Sequence, residues 1–168
     1  YTVADIQEPG GNESIFPKRF SEVLRPRGWE ERQLRIRHVS ENEDGIEEKH
    51  QDTHKIDYVK NRVAVDFEWN SKDQTFDRDL YAFRAFFEFD RISVGVIVTR
   101  GSDMAEWFRT LTAEGITTPT GKPIHTKYGA STTHVGKLLP RLEAGRNGGC
   151  PVAVFGIRPL RERAEWNV

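Results

Sequence analysis

At 168 residues and a formal net charge of −1, the chain has the size of one domain with a real core. Its near-neutral balance by itself points to neither nucleic acid nor membrane. A single cysteine, Cys150, excludes intrachain disulfides and Cys-rich zinc sites and fits a reducing cytoplasm. No apolar run approaches the roughly eighteen residues that a membrane helix needs. Tyr1 to Gly11 is polar and lacks the apolar centre of a signal peptide. The first residue is not Met, as in a chain that has been processed or trimmed.

Glu13 to Leu24 reads as a helix, with Pro17 in its first turn and Phe16, Phe20, Val23 and Leu24 as an apolar stripe. Arg25-Pro26-Arg27-Gly28 ends it. Gln33 to Val39 alternates and is expected as an edge strand. Ser40 to His54, polar and Gly-containing, is expected as a mobile loop. Two short apolar runs follow, Lys55 to Val59 and Arg62 to Asn70, with Lys60-Asn61 between them as a two-residue hairpin turn. Phe76, Leu80, Phe83 and Phe87 recur at helical spacing. Ile92 to Val98 is a continuous apolar run, expected as a strand buried on both faces.

Met104 to Ala113 is predicted helical, with Trp107, Phe108 and Leu111 inward and Ser102 or Asp103 as the cap. A loop rich in Thr, Pro and Gly runs from Gly115 to Ala130. Ser131-Thr132-Thr133 then caps a helix that reaches Leu142, distorted at Pro140. Gly145 to Gly149 is a turn, and Cys150 to Ile157 is a second buried strand. This order predicts an α/β fold, a central mixed β-sheet flanked by helices, in one domain over residues 1–168 with 1–12 flexible.

The hairpin carries the chemistry. Strand periodicity puts Val63, Val65, Phe67 and Trp69 on one face and Ala64, Asp66, Glu68 and Asn70 on the other. If Val59 pairs with Arg62, then Asp57 faces Ala64 and lies one diagonal step from Asp66, with Glu68 beyond. Three carboxylates then share one side of a hairpin whose other side is core. Like charges ~4 Å apart at an effective dielectric of about 20 cost roughly 4 kcal/mol per pair. A hard divalent cation such as Mg2+, which takes carboxylates, water and phosphate oxygens, relieves that cost.

Charge is also unevenly distributed. Between Glu114 and Glu143 there is no acid, while Lys122, His125, Lys127, His134, Lys137 and Arg141 all fall there. An acidic pocket beside a basic stretch suits a protein that holds a metal and a phosphate backbone together. Lys127, Tyr128 and the cap residues Ser131, Thr132 and Thr133 are candidates to present donors to phosphate at a helix N-terminus. Lys122, His125 and His134 are candidates for phosphate or base edges.

Ile56-Asp57 followed by Asp66-Phe67-Glu68 resembles the PD-(D/E)XK nuclease motif, in the form used by type II restriction endonucleases of the BglII and BamHI branch. The likeness continues through Phe76-Asp77-Arg78-Asp79-Leu80, Phe83, the strand Ile92 to Arg100, Ser131-Thr132-Thr133-His134, Lys137-Leu138 and Gly148 to Val152. It covers roughly Trp29 to Ile157. It implies a restriction-endonuclease-like fold and Mg2+-dependent hydrolysis of phosphodiesters in double-stranded DNA by a metal-activated water.

By the same resemblance Asp57 and Asp66 are metal-binding acids. Glu68 stands where the motif usually has Lys, so it binds metal or positions the water. Glu22 matches loosely a carboxylate that some members add to the metal site. Asp66 is shorter than the usual Glu, and the chain is short for a type II enzyme. The resemblance further implies a homodimer, a cytoplasmic bacterial or archaeal setting and no membrane partner. The exposed faces near Phe86 to Phe89 and Trp107 are candidate dimer surfaces, set against ordinary core packing.

Two other readings stay open: a structure-selective or repair nuclease on the same fold, and a catalytically silent DNA-binding module. His50 and His54 are four apart but lack the Glu of a zinc-protease helix, and they read as solvated loop residues. Cys150 reads as a buried thiol. Gly145-Arg146-Asn147-Gly148-Gly149 lacks the Gly-Lys-Ser/Thr of a phosphate loop and reads as a turn.

Overall fold

The computed structural model describes residues 2–7, 15–127 and 131–160. In chain order the elements are α1 (Val3–Gln7), α2 (Ile15–Leu24), a 3-10 turn (Arg25–Arg27), β1 (Glu30–Arg32), β2 (Arg35–Asn42), β3 (Gly45–Asp52), β4 (Ile56–Lys60), β5 (Val63–Glu68) and α3 (Thr75–Glu88). Then come β6 (Val94–Arg100), α4 (Met104–Ala113), α5 (Ile124–Lys127), α6 (Val135–Glu143) and β7 (Val152–Ile157).

Five strands form one sheet in the order β1-β4-β5-β6-β7. The first three pair antiparallel, and β5, β6 and β7 run parallel, so the sheet is mixed. The parallel pairs need crossovers, which α3 supplies between β5 and β6. Both faces of the sheet are core. On one, Tyr58, Val65, Phe67 and Trp69 meet Met104, Phe108 and Leu111 of α4 and Ile124 of α5, with Phe16 and Phe20 of α2 packed alongside. On the other, Ala64 and Ile97 lie under Phe76, Leu80 and Phe83 of α3 and Leu138 of α6. The hairpin's acidic face is therefore roofed by α3 rather than open to water.

The tightest seam lies between α3 and β6. A Cβ built on Gly95 would stand 2.4 Å from Phe83 Cδ2, a ring that is itself fully buried. Gly95→Ala is expected to force that ring aside at a cost of about 1–3 kcal/mol. A thermal melt reads this as a lowered Tm, and an unchanged Tm would show that the seam can open freely.

Several expectations change. Ser40 to His54, read as a loop, contains β3, which pairs with β2 from Arg35↔Asp52 to Asn42↔Gly45 as a separate two-stranded hairpin. It lacks an apolar alternation because only Ile36 reaches the core; Arg37 of β2 and Glu48 of β3 meet across the pair through charge instead, at 3.9 Å. β2 is accordingly not an edge of the main sheet. β7 is an outer strand of that sheet, with Phe155 59% exposed, so its apolar run does not mean burial on both faces.

Residues 3–7, expected within a flexible lead-in, form α1 and put Ile6 fully into the core. The start of the first long helix, Glu13 and Ser14, lies outside the described residues. The last helix begins at Val135 with His134 as its N-cap, later than the Ser131 to Thr133 cap predicts, and Pro140 does lie inside it. Phe86 is buried and Phe89 half-exposed, so only the end of that aromatic run reaches the surface.

Candidate active site

The hairpin turns at Asn61 and Arg62, which both adopt left-handed backbone (φ 46° and 68°) as a two-residue primed turn requires. Arg62 tolerates this because its side chain is tied down: Nε donates to Ser93 Oγ at 2.9 Å and Nη1 to the Asp90 carbonyl at 2.7 Å. The pairs are consequently Lys60↔Val63, Val59↔Ala64 and Tyr58↔Val65, two residues along from the expected register. A shift of two keeps each side chain on its face. It also brings Asp57 directly opposite Asp66.

The two acids replace the next ladder bonds with their own. The Asp57 N–H donates to Asp66 Oδ1 at 2.8 Å, and the Phe67 N–H donates to Asp57 Oδ2 at 3.2 Å. Pairing between β1 and β4 is irregular over the same stretch, and Ile56 packs with Ala64 rather than with Tyr58.

Depth sets the electrostatics. Asp66 is 3% exposed and Glu68 7%, while Asp57 is half-buried. Helix α3 adds a fourth carboxylate, Asp79, only 1% exposed. Desolvation raises Asp66 well above the ordinary carboxylate range, and the charge of Asp57 adds to it. Burial raises Glu68 too, against hydrogen bonds from Ser71 and Thr75; the Thr75 hydroxyl donates to Glu68 Oε2 at 3.2 Å. Asp57 is raised by burial and partly restored by the Phe67 N–H. Asp79 is pushed up to about 10, first by burial and then by Asp66 and Glu68. Four acids in so little solvent cannot all ionise, and Asp66, Asp79 and Glu68 share retained protons as a group, with Asp79 hydrogen-bonded to Glu68.

The donor set is all carboxylate oxygen, the chemistry of a hard divalent cation. Asp66 Oδ2 and Asp79 Oδ2 are buried without a hydrogen-bond partner, acceptors with nothing to accept. Among the described residues, however, no group of three or more His, Cys, Asp or Glu side chains stands arranged to hold a metal ion. The reason is visible: Asp57 Oδ2 and Asp66 Oδ1 are turned onto backbone N–H groups.

Asp79 was legible in principle. It falls three after Phe76 and four before Phe83, on the apolar stripe of α3, where a polar residue is out of place. Glu22, by contrast, is exposed on α2, whose apolar residues pack on the Tyr58 face, so the structure does not draw it into the acids.

The other candidates divide. Thr133 is fully buried; its N–H donates to the Ser71 carbonyl at 3.0 Å and its hydroxyl to the Glu68 carbonyl at 3.2 Å. That hydroxyl holds the end of β5 rather than facing phosphate. Thr132 bridges to Lys72 and accepts from Arg100, whose buried guanidinium also donates to the Thr133 carbonyl at 3.0 and 2.7 Å. Ser131 is exposed beside them, and its carbonyl accepts from the Asp73 N–H at 2.8 Å. Residues 131–134 are thus brought to the end of the acidic strand. Burial lowers the pKa of the His134 ring, and the nearby Lys137 and Arg100 add to that.

Lys122 and His125 are exposed, by contrast, on the α4–α5 side, where His125 Nδ1 lies 3.2 Å from Thr112 Oγ1. Lys127 ends α5. Tyr128 lies outside the described residues. Arg100, which the sequence did not single out, organises this side of the site.

The family model for the restriction endonuclease BglII/BglIII matches residues 1–157. The chain belongs to that family. No curated protein matches it. Its mixed sheet flanked by helices is accordingly a restriction-endonuclease-like fold, and the family is one of sequence-specific DNA endonucleases. Among the described residues no helix is long and apolar enough to cross a membrane.

Proposed function

We propose that this restriction endonuclease cuts double-stranded DNA at a specific sequence with Mg2+, as a two-fold dimer acting in the cytoplasm and with one nuclease domain per chain. The observation that carries the reading is the set of half-buried Asp57 on β4 with buried Asp66 and Glu68 on β5, held by a chain of this family. We read these acids as the PD-(D/E)XK arrangement that the sequence resembles, with Glu68 in the lysine position. When bound, Mg2+ supplies the positive charge that polarises the scissile phosphate and acidifies the attacking water.

The chain's own residues do the rest. Asp57, Asp66 and Glu68 are the ligands. Thr75 aims Glu68 through Oε2, and Asp79 steadies it from α3. The low exposure of Asp66 and Glu68 keeps bulk water out, so charges there act at full strength. Ser131, Thr132 and His134, fixed to the end of β5, face the DNA backbone, while Lys122, His125, Lys127 and Tyr128 extend the contact along the DNA. Thr133 and Glu22 are left out of these roles, for the reasons of placement given above.

Glu68→Ala is expected to lose cleavage by at least about 10²–10³-fold and to keep DNA binding. Cleavage assays with a gel shift on the same variant measure both. Retained Mg2+-dependent turnover would sink the assignment.

A further inference from the structure

Arg25, in the turn after α2, lies 4.5 Å from the ring centroid of Tyr58 and donates to the Trp29 carbonyl at 3.4 Å. Lys55 is ion-paired with Glu31 at 2.7 Å. His54 is exposed and close enough to Asp57 to feel its charge. Arg78 differs from these. Its side chain is 47% exposed, and its Nε stands 3.7 Å from Asp79 Oδ1, beyond hydrogen-bond range. Among the described residues its guanidinium donates no hydrogen bond. It nevertheless lies near enough to Asp66, Asp79 and His54 to act on all three.

A DNA phosphate brought to Asp57, Asp66 and Glu68 is an anion approaching anions. The usual motif offsets part of that repulsion with its lysine, and Glu68 here removes that cation. We propose that Arg78, reaching in from α3 rather than from β5, binds the scissile phosphate in the place of that lysine. This rests on the nuclease reading above. A guanidinium with its fork unengaged suits two phosphate oxygens at once. Its position one residue before Asp79 fixes it to the helix that roofs the site, half in solvent where DNA must arrive. A purely structural role is a weaker fit, because the guanidinium is 47% exposed and its Nε stops 3.7 Å short of the buried Asp79 carboxyl, too far for a hydrogen bond.

The test is single-turnover cleavage of supercoiled plasmid DNA in Mg2+ by the wild type, Arg78→Ala, Arg78→Gln and Arg78→Lys. Binding of the same plasmid in EDTA and the Tm of each variant are measured alongside. Arg78→Ala and Arg78→Gln are expected to cleave about 10²–10³-fold more slowly at saturating protein, with Tm unchanged and affinity much less affected. Arg78→Lys is expected to recover only part of the rate, since it restores the charge without the fork.

An Arg78→Gln that cleaves at the wild-type rate overturns the inference alone. So does a loss confined to affinity, or one that follows Tm. A wild type that cleaves no DNA in Mg2+ overturns the nuclease reading and this inference together.

Discussion

Asp66→Asn is expected to abolish DNA cleavage and at the same time to raise the melting temperature. The two effects share one cause. Asp66 is 3% exposed, faces Asp57 across the hairpin, and leaves Oδ2 without a partner. In the metal-free protein its charge is opposed by desolvation and by Asp57 and Glu68. An asparagine keeps the acceptor for the Asp57 N–H, carries no charge, and brings an amide that can donate to neighbouring carboxyls. Relieving that desolvation and repulsion is worth on the order of 1–2 kcal/mol. For a domain of this size that is roughly 2–8 °C in Tm.

The same change deletes a proposed ligand, and activity should fall by at least about 10²–10³-fold. Thermal melts in EDTA and plasmid cleavage in Mg2+ measure the pair. A destabilised variant would mean that the Asp66 charge is compensated in the fold, and an active one would remove it from the site.

The second large effect is on pH. Asp79 titrates near 10 in the fold against about 3.9 in an unfolded chain. The folded state therefore binds a proton that the unfolded state has released. Its stabilising contribution is complete below about pH 4 and is lost as pH rises toward 10. Asp66 and Glu68, also raised, act in the same direction.

The opposing groups are exhausted before neutrality. His54 and His134 are lowered below their ordinary value, so their contribution stops growing once the unfolded histidine has titrated, near pH 6.5. Asp5, Glu31, Asp77 and Asp90 are lowered, and their contribution is lost only in acid. Cys150 is raised and adds to the decline only in the most alkaline part of the range.

Between pH 7 and 9 the metal-free protein should therefore lose stability, at up to about 1.4 kcal/mol per pH unit for one proton. Mg2+ should cancel the loss, because a cation at these carboxylates favours their ionised form. The Mg2+-induced rise in Tm should be larger at pH 9 than at pH 7. A metal-free Tm that stays flat over this window would contradict the shared-proton account. A Tm indifferent to Mg2+ at both pH values would contradict metal binding.

What the sequence disclosed follows from which forces are local. Phe76, Leu80 and Phe83 declared α3, and Ile92 to Val98 declared β6, because apolar spacing reports burial directly. The acidic face was legible because alternation fixes a face whatever the register. The register itself was not, since it depends on Arg62 being held in a left-handed turn by Asp90 and Ser93, contacts some thirty residues away in sequence.

The paired β2–β3 hairpin was hidden for the opposite reason. Almost none of it is buried, so it carries no apolar signature. Asp79 was present as an anomaly on an apolar stripe. Only the closure of α3 over β5 turns that anomaly into a fourth carboxylate beside Asp66 and Glu68. Thr133 looked like a helix cap by residue type, yet tertiary contacts with Ser71 and Glu68 took its polar groups first.

Digestion of a mixture of large plasmids with Mg2+, beside an EDTA control and resolved on a gel, tests the central claim most directly. Discrete fragments in Mg2+ and intact DNA in EDTA are predicted, with the recognition sequence then mapped from the ends. DNA left intact in every divalent metal, or degraded to a continuous smear, would contradict a sequence-specific, metal-dependent endonuclease.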